Sequence, residues 1–118
     1  DICRLADELR SPASFEITID PPFYPAWETG KDHPLLATFA RAYETEAGHP
    51  PPFEYNQGVA DTNYFVADLG IPAVQFGPHG ANYHEANEWV HVPSIAATTR
   101  IILRTALDVL RPEATRRQ

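Results

Sequence analysis

Over most of its length the chain alternates between helical and strand-like sequence patterns, and this order restricts the fold more than any other feature. Helical segments begin at Pro34, Thr62 and Pro93. Between them lie two short strand-like runs, residues 53–55 and 72–76, which contain aromatic and β-branched side chains. Helix, strand, helix, strand and helix in succession is the order of helices packed on a sheet. The sequence therefore predicts an α/β fold.

Each predicted helix carries residues that mark its ends. Asp32 is the expected N-cap of the first helix, and Gly48 lies just past its end. Asp61 is placed to cap the second helix, which is predicted to run to Leu69. Pro112 is expected to end the third helix. These signals predict three helices with defined bounds.

Apolar spacing predicts which face of the first and third helices is buried. On the first helix, Arg41, Glu44 and Glu46 are expected to face water. The residues expected in the core are Leu35, Leu36, Phe39, Ala40, Tyr43, Ile95, Thr99, Ile102, Ala106 and Leu110.

The first thirty residues do not share this alternation of helical and strand-like patterns. Residues 2–9 have the apolar spacing of one helix face, and Pro12 follows. Residues 15–19 alternate apolar and polar side chains, as in a strand with one packed face and one solvated face. We therefore predict a boundary near residue 28, which separates the end of one unit, residues 1–28, from an α/β unit, residues 29–118.

Charge and cysteine content disfavour several functional classes. The 118 residues carry 9 Lys and Arg against 16 Asp and Glu, and the net charge of -7 disfavours nucleic acid as the main partner. No apolar run approaches the roughly 20 residues that a membrane helix needs. The single cysteine, Cys3, can form no internal disulfide, and no signal segment opens the sequence, so a cytoplasmic location is expected. The absence of methionine indicates a processed chain or an excerpt from a longer one.

The loop after the second strand-like run holds the groups best suited to chemistry. The run stops at Gly77 and Pro78, and ligands of α/β proteins collect at such strand ends. Residues 57–61 follow the other run, so the two loops are expected to face one pocket. The second loop carries His79, His84, Glu85, Asn87, Glu88 and His91.

Spacing alone leaves a metal site and an ordinary polar loop as alternatives. Imidazole is a good zinc ligand, and Glu85 and Glu88 lie close enough in sequence to orient the ring of His84. Zinc needs three or four ligands, however, and the chain has neither an HExxH helix nor a pair of cysteines. Gly-x-Ser-x-Gly and glycine-rich phosphate loops are also absent from the sequence, so covalent catalysis and nucleotide binding rank low.

Residues 58–102 carry a series of motifs, which consist of Gly58, Asp61, Gly70, Ile71, Pro72, Phe76, Gly77, Pro78, His84, Asn87, Glu88 and Val90. The order and spacing of these residues resemble the C-terminal part of the M20 metallopeptidase and deacylase family. The family includes acetylornithine deacetylase, succinyl-diaminopimelate desuccinylase, aminoacylase and carboxypeptidase G2. The resemblance implies that residues 29–118 are the C-terminal part of a zinc-peptidase-like catalytic domain. Residues 1–28 would then be the last helix and strand of an α+β lid or dimerisation domain.

The resemblance also implies an activity for the parent protein. Members of the family are binuclear zinc amidohydrolases in which a metal-bridging water attacks the amide bond of an N-acyl amino acid or small peptide. Cobalt and manganese are alternative metals. His84 corresponds to one metal ligand, whereas the other ligands and the base glutamate belong to an N-terminal half that this sequence lacks. The chain alone is therefore expected to be inactive and not to hold the ions, and its expected partners are the missing half and a second subunit bound through the lid domain.

The remaining residues of the motif have two interpretations each. Gly77 and Pro78 would shape the substrate slot, and Asp61 would lie at the pocket-side turn or simply cap its helix. His79, where the family usually has glycine, is either an extra substrate contact or an exposed turn residue. Glu88 either steadies the predicted metal ligand or is a surface carboxylate. The alternative function is a non-catalytic binding module that retains the α/β scaffold and the pocket loop.

Overall fold

Three α-helices, one short π-helix and a two-stranded hairpin form the regular structure of the described residues. The computed structural model describes residues 2–10, 12, 16, 18 and 20–111. Within these ranges, no helix has the length and apolar character needed to cross a membrane. In chain order the elements are α1 (Ile2–Glu8), α2 (Pro34–Ala47), the π-helix (Tyr64–Asp68), β1 (Gly80–Ala81), β2 (Trp89–Val90) and α3 (Val92–Leu110).

Helix α2 begins and ends through local contacts. Pro34 occupies the first turn as predicted, but the N-cap is His33 and not Asp32. The Nδ1 atom of His33 accepts a hydrogen bond of 3.1 Å from the backbone N–H of Leu35, so the predicted cap is one residue too early. Gly48 has a φ of 78°, a left-handed conformation that glycine adopts without steric cost, and this part of the prediction is confirmed.

The core lies between α2 and α3. Phe39, Ala42 and Ile101 form its buried centre, which confirms Phe39 as a core residue and adds Ala42. The ring of Phe76 packs edge-on against that of Phe39, with ring centres 5.1 Å apart. Such aromatic pairs contribute about 0.5–1.5 kcal/mol beyond the area that they bury. Together with Val74, which contacts the same cluster, Phe76 attaches the segment before the hairpin to the helix pair.

Helix α3 buries a different face from the one predicted. The expected stripe included Ile102 and Leu110, but these side chains are 50% and 78% exposed. The buried residues are Thr98 and Ile101, and Ile101 is only 3% exposed. Apolar side chains lie on most sides of this helix, so more than one stripe fits a period of 3.6 residues. Contact with α2 selects the face that contains Ile101.

Glu46 of α2 links the two helices through a double ion pair. Its carboxylate lies 2.6 Å from Nε of Arg100 and 3.0 Å from Nε of Arg104, and its side chain is only 11% exposed. Arg41 and Glu44 are exposed as predicted, but the prediction that Glu46 faces water is wrong, because two arginines of α3 reach it across the interface. The hydrogen bond from Arg100 and the positive charges of both arginines lower the pKa of Glu46 below its ordinary value of 4.5, although burial opposes this shift.

The two predicted strands, residues 53–55 and 72–76, do not pair in a sheet. In the described part of the chain, the only ladder joins β1 to β2. A strand needs a neighbour whose N–H and C=O groups complete its hydrogen bonds, and no described segment pairs with either run in this way. Helices and a small two-stranded sheet are compatible with an α/β class, but these residues do not form the larger sheet that was predicted.

Side-chain hydrogen bonds hold part of this extended chain in place. The hydroxyl of Thr29 donates to the carbonyl of Ala73 at 2.8 Å and accepts from the N–H of Ala73 at 3.0 Å. The carboxamide of Asn63, 6% exposed, accepts from the N–H of Ala60 and donates to the carbonyl of Pro25, both at 2.9 Å. The proline-rich segment before α2 is therefore tied to the chain on both sides of the π-helix.

The predictions for the chain ends are tested only in part. Helix α1 confirms the helix predicted at residues 2–9, although it stops at Glu8. The strand predicted at residues 15–19 includes positions outside the described ranges, and Pro112, which was expected to end α3, also lies outside them. The boundary near residue 28 stays a prediction.

Ile101→Ala and Ile102→Ala form a matched pair that tests which face of α3 is buried. Ile101→Ala leaves a cavity in the core, so we expect it to lower the free energy of unfolding by about 2–4 kcal/mol. Ile102→Ala changes an exposed side chain and is expected to cost less than about 1 kcal/mol. Urea unfolding followed by circular dichroism measures both values. A larger loss for Ile102→Ala would favour the stripe predicted from the sequence.

Glu46 should make the stability of the chain depend on pH in acid. Because pairing lowers its folded-state pKa, its contribution is complete above the ordinary value of 4.5 and is lost as the pH falls through the lowered pKa. Thermal unfolding from about pH 7 to about pH 3 should therefore show a smaller loss of stability for Glu46→Gln than for the unsubstituted chain. Glu44→Gln, an exposed site on the same helix, should behave like the unsubstituted chain. Equal losses for Glu46→Gln and the unsubstituted chain would contradict the pairing.

Candidate functional site

A hairpin carries the histidine-rich segment. Strands β1 and β2 pair antiparallel, with Gly80 opposite Val90 and Ala81 opposite Trp89. Residues 82–88 connect the two strands, and α3 begins soon after β2. The segment that the sequence predicted as a loop therefore contains a short antiparallel pair of strands. Residues 82–88 form the tip of the hairpin, and the residues next to Gly80 and Val90, away from the tip, form its base.

The tip of the hairpin contains three residues in the left-handed conformation. Their φ angles are 60° at Asn82, 64° at His84 and 62° at Asn87. Asparagine tolerates this conformation better than most residues. The side chain of Asn82 donates to the carbonyl of Asn87 at 3.3 Å, and its backbone carbonyl accepts the N–H of Glu85 at 3.0 Å. His84 is exposed within this turn, and strained backbone of this type is concentrated at functional sites.

The base of the hairpin is closed by hydrogen bonds that involve two further histidines. The N–H of His91 donates to the carbonyl of His79 at 2.8 Å. The hydroxyl of Ser94 accepts from the N–H of His79 at 2.9 Å and donates to the carbonyl of His91 at 2.6 Å. The ring of Trp89 packs edge-on against that of His79, with ring centres 5.5 Å apart. His79 and His91 therefore lie at the base, whereas His84 lies at the tip.

An open groove with a volume of about 980 Å³ lies beside the hairpin. Three residues that the sequence placed near a pocket, Gly77, Pro78 and Glu88, form part of its wall. Two carboxamides meet in the groove, where Nδ2 of Asn56 donates to Oε1 of Gln75 at 3.0 Å. The lining residues are Asn56, Gln75, Phe76, Gly77, Pro78, Tyr83, Glu88, Trp89, Val90 and Ile95.

Sequence reasoning missed the two carboxamides in this groove. Gln75 stands between Val74 and Phe76, which pack on the core, so strand-like alternation already indicated that Gln75 points away from the core. Asn56 directly precedes the predicted pocket loop at residues 57–61. Nothing in the sequence links Asn56 to Gln75, because their contact exists only when the two extended runs lie side by side.

Three of the predicted site residues lie outside the lining of the groove. They are His84 at the hairpin tip, His79 at its base, and Asp61 beside the π-helix. The turn before the π-helix is held by Asn63, whose side chain accepts the N–H of Ala60, where the sequence predicted Asp61 as the cap. The described residues therefore do not bring the predicted site residues together around one cavity.

Two tyrosines near the extended runs have raised pKa values. Partial burial is the main cause at Tyr64, and the neighbouring Tyr24, whose ring centre lies 5.3 Å away, adds to the shift. The hydroxyl of Tyr55 donates a hydrogen bond of 2.8 Å to Oε1 of Glu28, and this bond raises the pKa of Tyr55. Both shifts favour the neutral phenol, so neither tyrosine is prepared to act as a base near neutral pH.

The described residues do not complete a metal site. Within the ranges that the structure describes, no three side chains of His, Cys, Asp or Glu are grouped so that they could hold one ion. Zinc is held by three or four ligands, so His84 supplies at most one of those required. The assignment of His84 as a metal ligand stays a prediction that depends on residues beyond these.

Comparison with known proteins gives consistent results. A family model described as peptidase family M20/M25/M40 matches residues 7–108. A Pyrococcus abyssi protein provisionally named LysW-lysine/LysW-ornithine hydrolase is 35% identical over 77 residues, 59% of this chain and 21% of that protein. Its namesake from Pyrococcus furiosus is 38% identical over 56 residues, 48% of this chain and 17% of that protein. A succinyl-diaminopimelate desuccinylase of Hydrogenovibrio crunogenus is 28% identical over 82 residues, 70% of this chain and 21% of that protein.

The matched region is a small part of each relative. The chain spans about a fifth of the length of the curated relatives that it matches. No solved structure gives a significant match. The comparisons therefore show the family of the chain, and the reactions that they name are those of its relatives.

Gly80→Ala should open the base of the hairpin. A Cβ at this position would collide with the backbone carbonyl of Trp89 on the opposite strand. We expect hydrogen exchange at the amide of His91, measured by NMR, to become at least about tenfold faster. Gly77→Ala is the matched control, because a Cβ at Gly77 meets nothing within 4 Å, and its exchange should not change. Unchanged exchange in Gly80→Ala would contradict the strand pairing.

Proposed function

Because the chain belongs to peptidase family M20/M25/M40, we propose that it forms the C-terminal part of the catalytic domain of a metal-dependent amidohydrolase. The observation that carries the proposal is the family match, which extends over residues 7–108. The names of the relatives from Pyrococcus and Hydrogenovibrio, a hydrolase and a desuccinylase, describe hydrolytic reactions. Their agreement supports hydrolysis of an amide bond as the reaction of the parent protein.

His84 is the residue proposed to bind metal. Its support is positional, since it is exposed at the tip of a hairpin whose turn is held by Asn82, Glu85 and Asn87. When bound, two zinc ions, or cobalt or manganese in their place, would polarise the amide carbonyl and activate a water molecule. This chain contributes one imidazole to that centre, and the remaining ligands and the base glutamate come from the N-terminal half of the parent. The isolated chain is therefore proposed to be inactive.

The groove beside the hairpin is proposed to receive the substrate. Gly77 and Pro78 form a part of its wall that lacks large side chains, and Glu88 contributes the only charged group among the lining residues. A groove of this kind suits an N-acyl amino acid or a small peptide. Asp61 and His79 do not line the groove. Their proposed contacts with the substrate therefore require that the substrate, or other parts of the parent, extend beyond the groove.

The exposed apolar surface supports the proposal that this chain is one part of a larger domain. Ile102, Leu103, Leu107 and Leu110 of α3 are each at least half exposed. A helix with apolar side chains on most sides is normally buried on most sides. From the family resemblance alone, we also propose that residues 1–28 end a lid domain through which two subunits pair, and that residues 29–118 belong to the catalytic domain.

A non-catalytic binding module is the second candidate. This function would need only the hairpin and the groove that the described residues form. The two candidates differ in whether the protein that contains this chain supplies the missing ligands and base.

His84→Gln in the full-length parent tests the proposed function. Removal of one ligand should lower the metal content from two ions to one and reduce turnover by at least about a hundredfold. Metal analysis and the rate of hydrolysis of N-acyl amino acids measure the two effects. His49→Gln, which replaces an exposed histidine that packs against Tyr43, should retain both metals and near-normal turnover. Two bound metals and normal turnover in His84→Gln would show that the ligand assignment is wrong.

A further inference from the structure

Two imidazoles lie side by side at the base of the hairpin, apart from the tip that carries His84. The ring centres of His79 and His91 are 6.4 Å apart, and the ring planes are inclined by 76°. Both side chains are exposed. Among the described residues, the ring nitrogens of neither histidine make a hydrogen bond, so their lone pairs are open to a ligand.

The backbone holds the two histidines in register. His79 and His91 lie opposite each other, next to the outermost pair of the ladder, Gly80 with Val90. The N–H of His91 extends the pairing by donating to the carbonyl of His79 at 2.8 Å. Ser94 closes the arrangement, because its hydroxyl accepts from the N–H of His79 and donates to the carbonyl of His91. The two side chains therefore start from fixed backbone positions, which lowers the entropy lost when a ligand joins them.

The separation of the rings is close to that of two imidazoles that share a metal ion. With metal–nitrogen bonds of about 2 Å, two ring centres at a tetrahedral ion are roughly 5 Å apart. The observed distance of 6.4 Å is slightly longer. Rotation of the exposed side chains about their χ torsions can therefore bring one nitrogen of each ring to a common ion without a change of backbone.

We propose that His79 and His91 form an accessory binding site for a divalent transition-metal ion, separate from the site assigned to His84. Imidazole is a preferred ligand of zinc, nickel and copper, and it discriminates against magnesium and calcium, which bind oxygen ligands. Two protein ligands leave the other coordination positions to water, so the site binds reversibly and does not have the affinity of a structural zinc site.

An ion at this position would join the two ends of the hairpin. His79 precedes β1 and His91 follows β2, so both arms of the tip that holds His84 would be tied at their base. Metal binding would then stabilise the hairpin by mass action, because the unfolded hairpin lacks the paired histidines. This inference does not depend on the proposed hydrolase function, since it concerns binding to the hairpin alone.

Titration of the 118-residue chain with nickel ions tests the site. A Cys3→Ser background removes the thiol as a competing ligand. Calorimetry should detect one site. In a Trp27→Phe background, quenching of the fluorescence of Trp89, whose ring contacts that of His79, should follow the same binding curve. His79→Asn and His91→Asn should each weaken binding by about tenfold or more. Both variants keep the backbone groups that pair the strands, and circular dichroism should confirm an unchanged fold.

His49→Asn and His84→Asn are the matched controls for this titration. His49 is exposed and packs against Tyr43, far from the hairpin in sequence, and its loss should leave nickel affinity unchanged. His84→Asn should also bind nickel normally, whereas turnover of the parent tests His84 separately. Normal affinity in either His79→Asn or His91→Asn, or a loss of affinity in His84→Asn alone, would overturn the proposed site.

Discussion

The packing of α2 against α3 is the interaction on which the rest of the described structure depends. Phe39 and Ile101 exclude water from the contact, and Glu46 bridges Arg100 and Arg104 at its side. The apolar contact stabilises the pair without selecting a register, whereas a carboxylate between two guanidinium groups requires particular positions along both helices. Burial and charge pairing together define how the two helices meet.

The hairpin depends on this helix pair at two points. Val74 and Phe76 pack on the same core and set the position of the chain as it enters Gly77 and Pro78. On the other side, Ser94 in the first turn of α3 bonds to both ends of the hairpin base. The groove and the turn that displays His84 are consequently held in position by the packing of α2 against α3. Binding segments on loops are usually positioned by a rigid scaffold in this way.

Two extended runs and one helix face among the described residues lack the neighbours that usually cover such features. The runs at residues 53–55 and 72–76 have no strand partners among them, and one face of α3 presents Ile102, Leu103 and Leu107 to solvent. Extended backbone and apolar helix faces of this kind are normally covered in a folded domain. Since the chain spans about a fifth of its curated relatives, these features agree with the proposal that a larger catalytic domain completes the fold.

Much of the local structure and the family could be predicted from the sequence, because the signals act over short distances. Pro34 and Gly48 act within single turns of the backbone, and both are found as predicted. The motif that includes Gly77, Pro78 and His84 indicated the family without any knowledge of the fold. Gly77, Pro78 and Glu88 line the groove, whereas their part in binding a substrate stays a prediction.

Other features depended on contacts between distant residues and could be decided only by the tertiary structure. The cap at His33, the burial of Ile101 instead of Ile102, and the pairing of Glu46 were each open to an alternative with the same local pattern. The contact between Asn56 and Gln75 had no signal in the sequence at all. The sequence by itself determined approximately where the helices begin and end and to which family the chain belongs. The tertiary structure decided which faces meet, because an apolar stripe or an exposed carboxylate acquires its role only from the partner that packs against it.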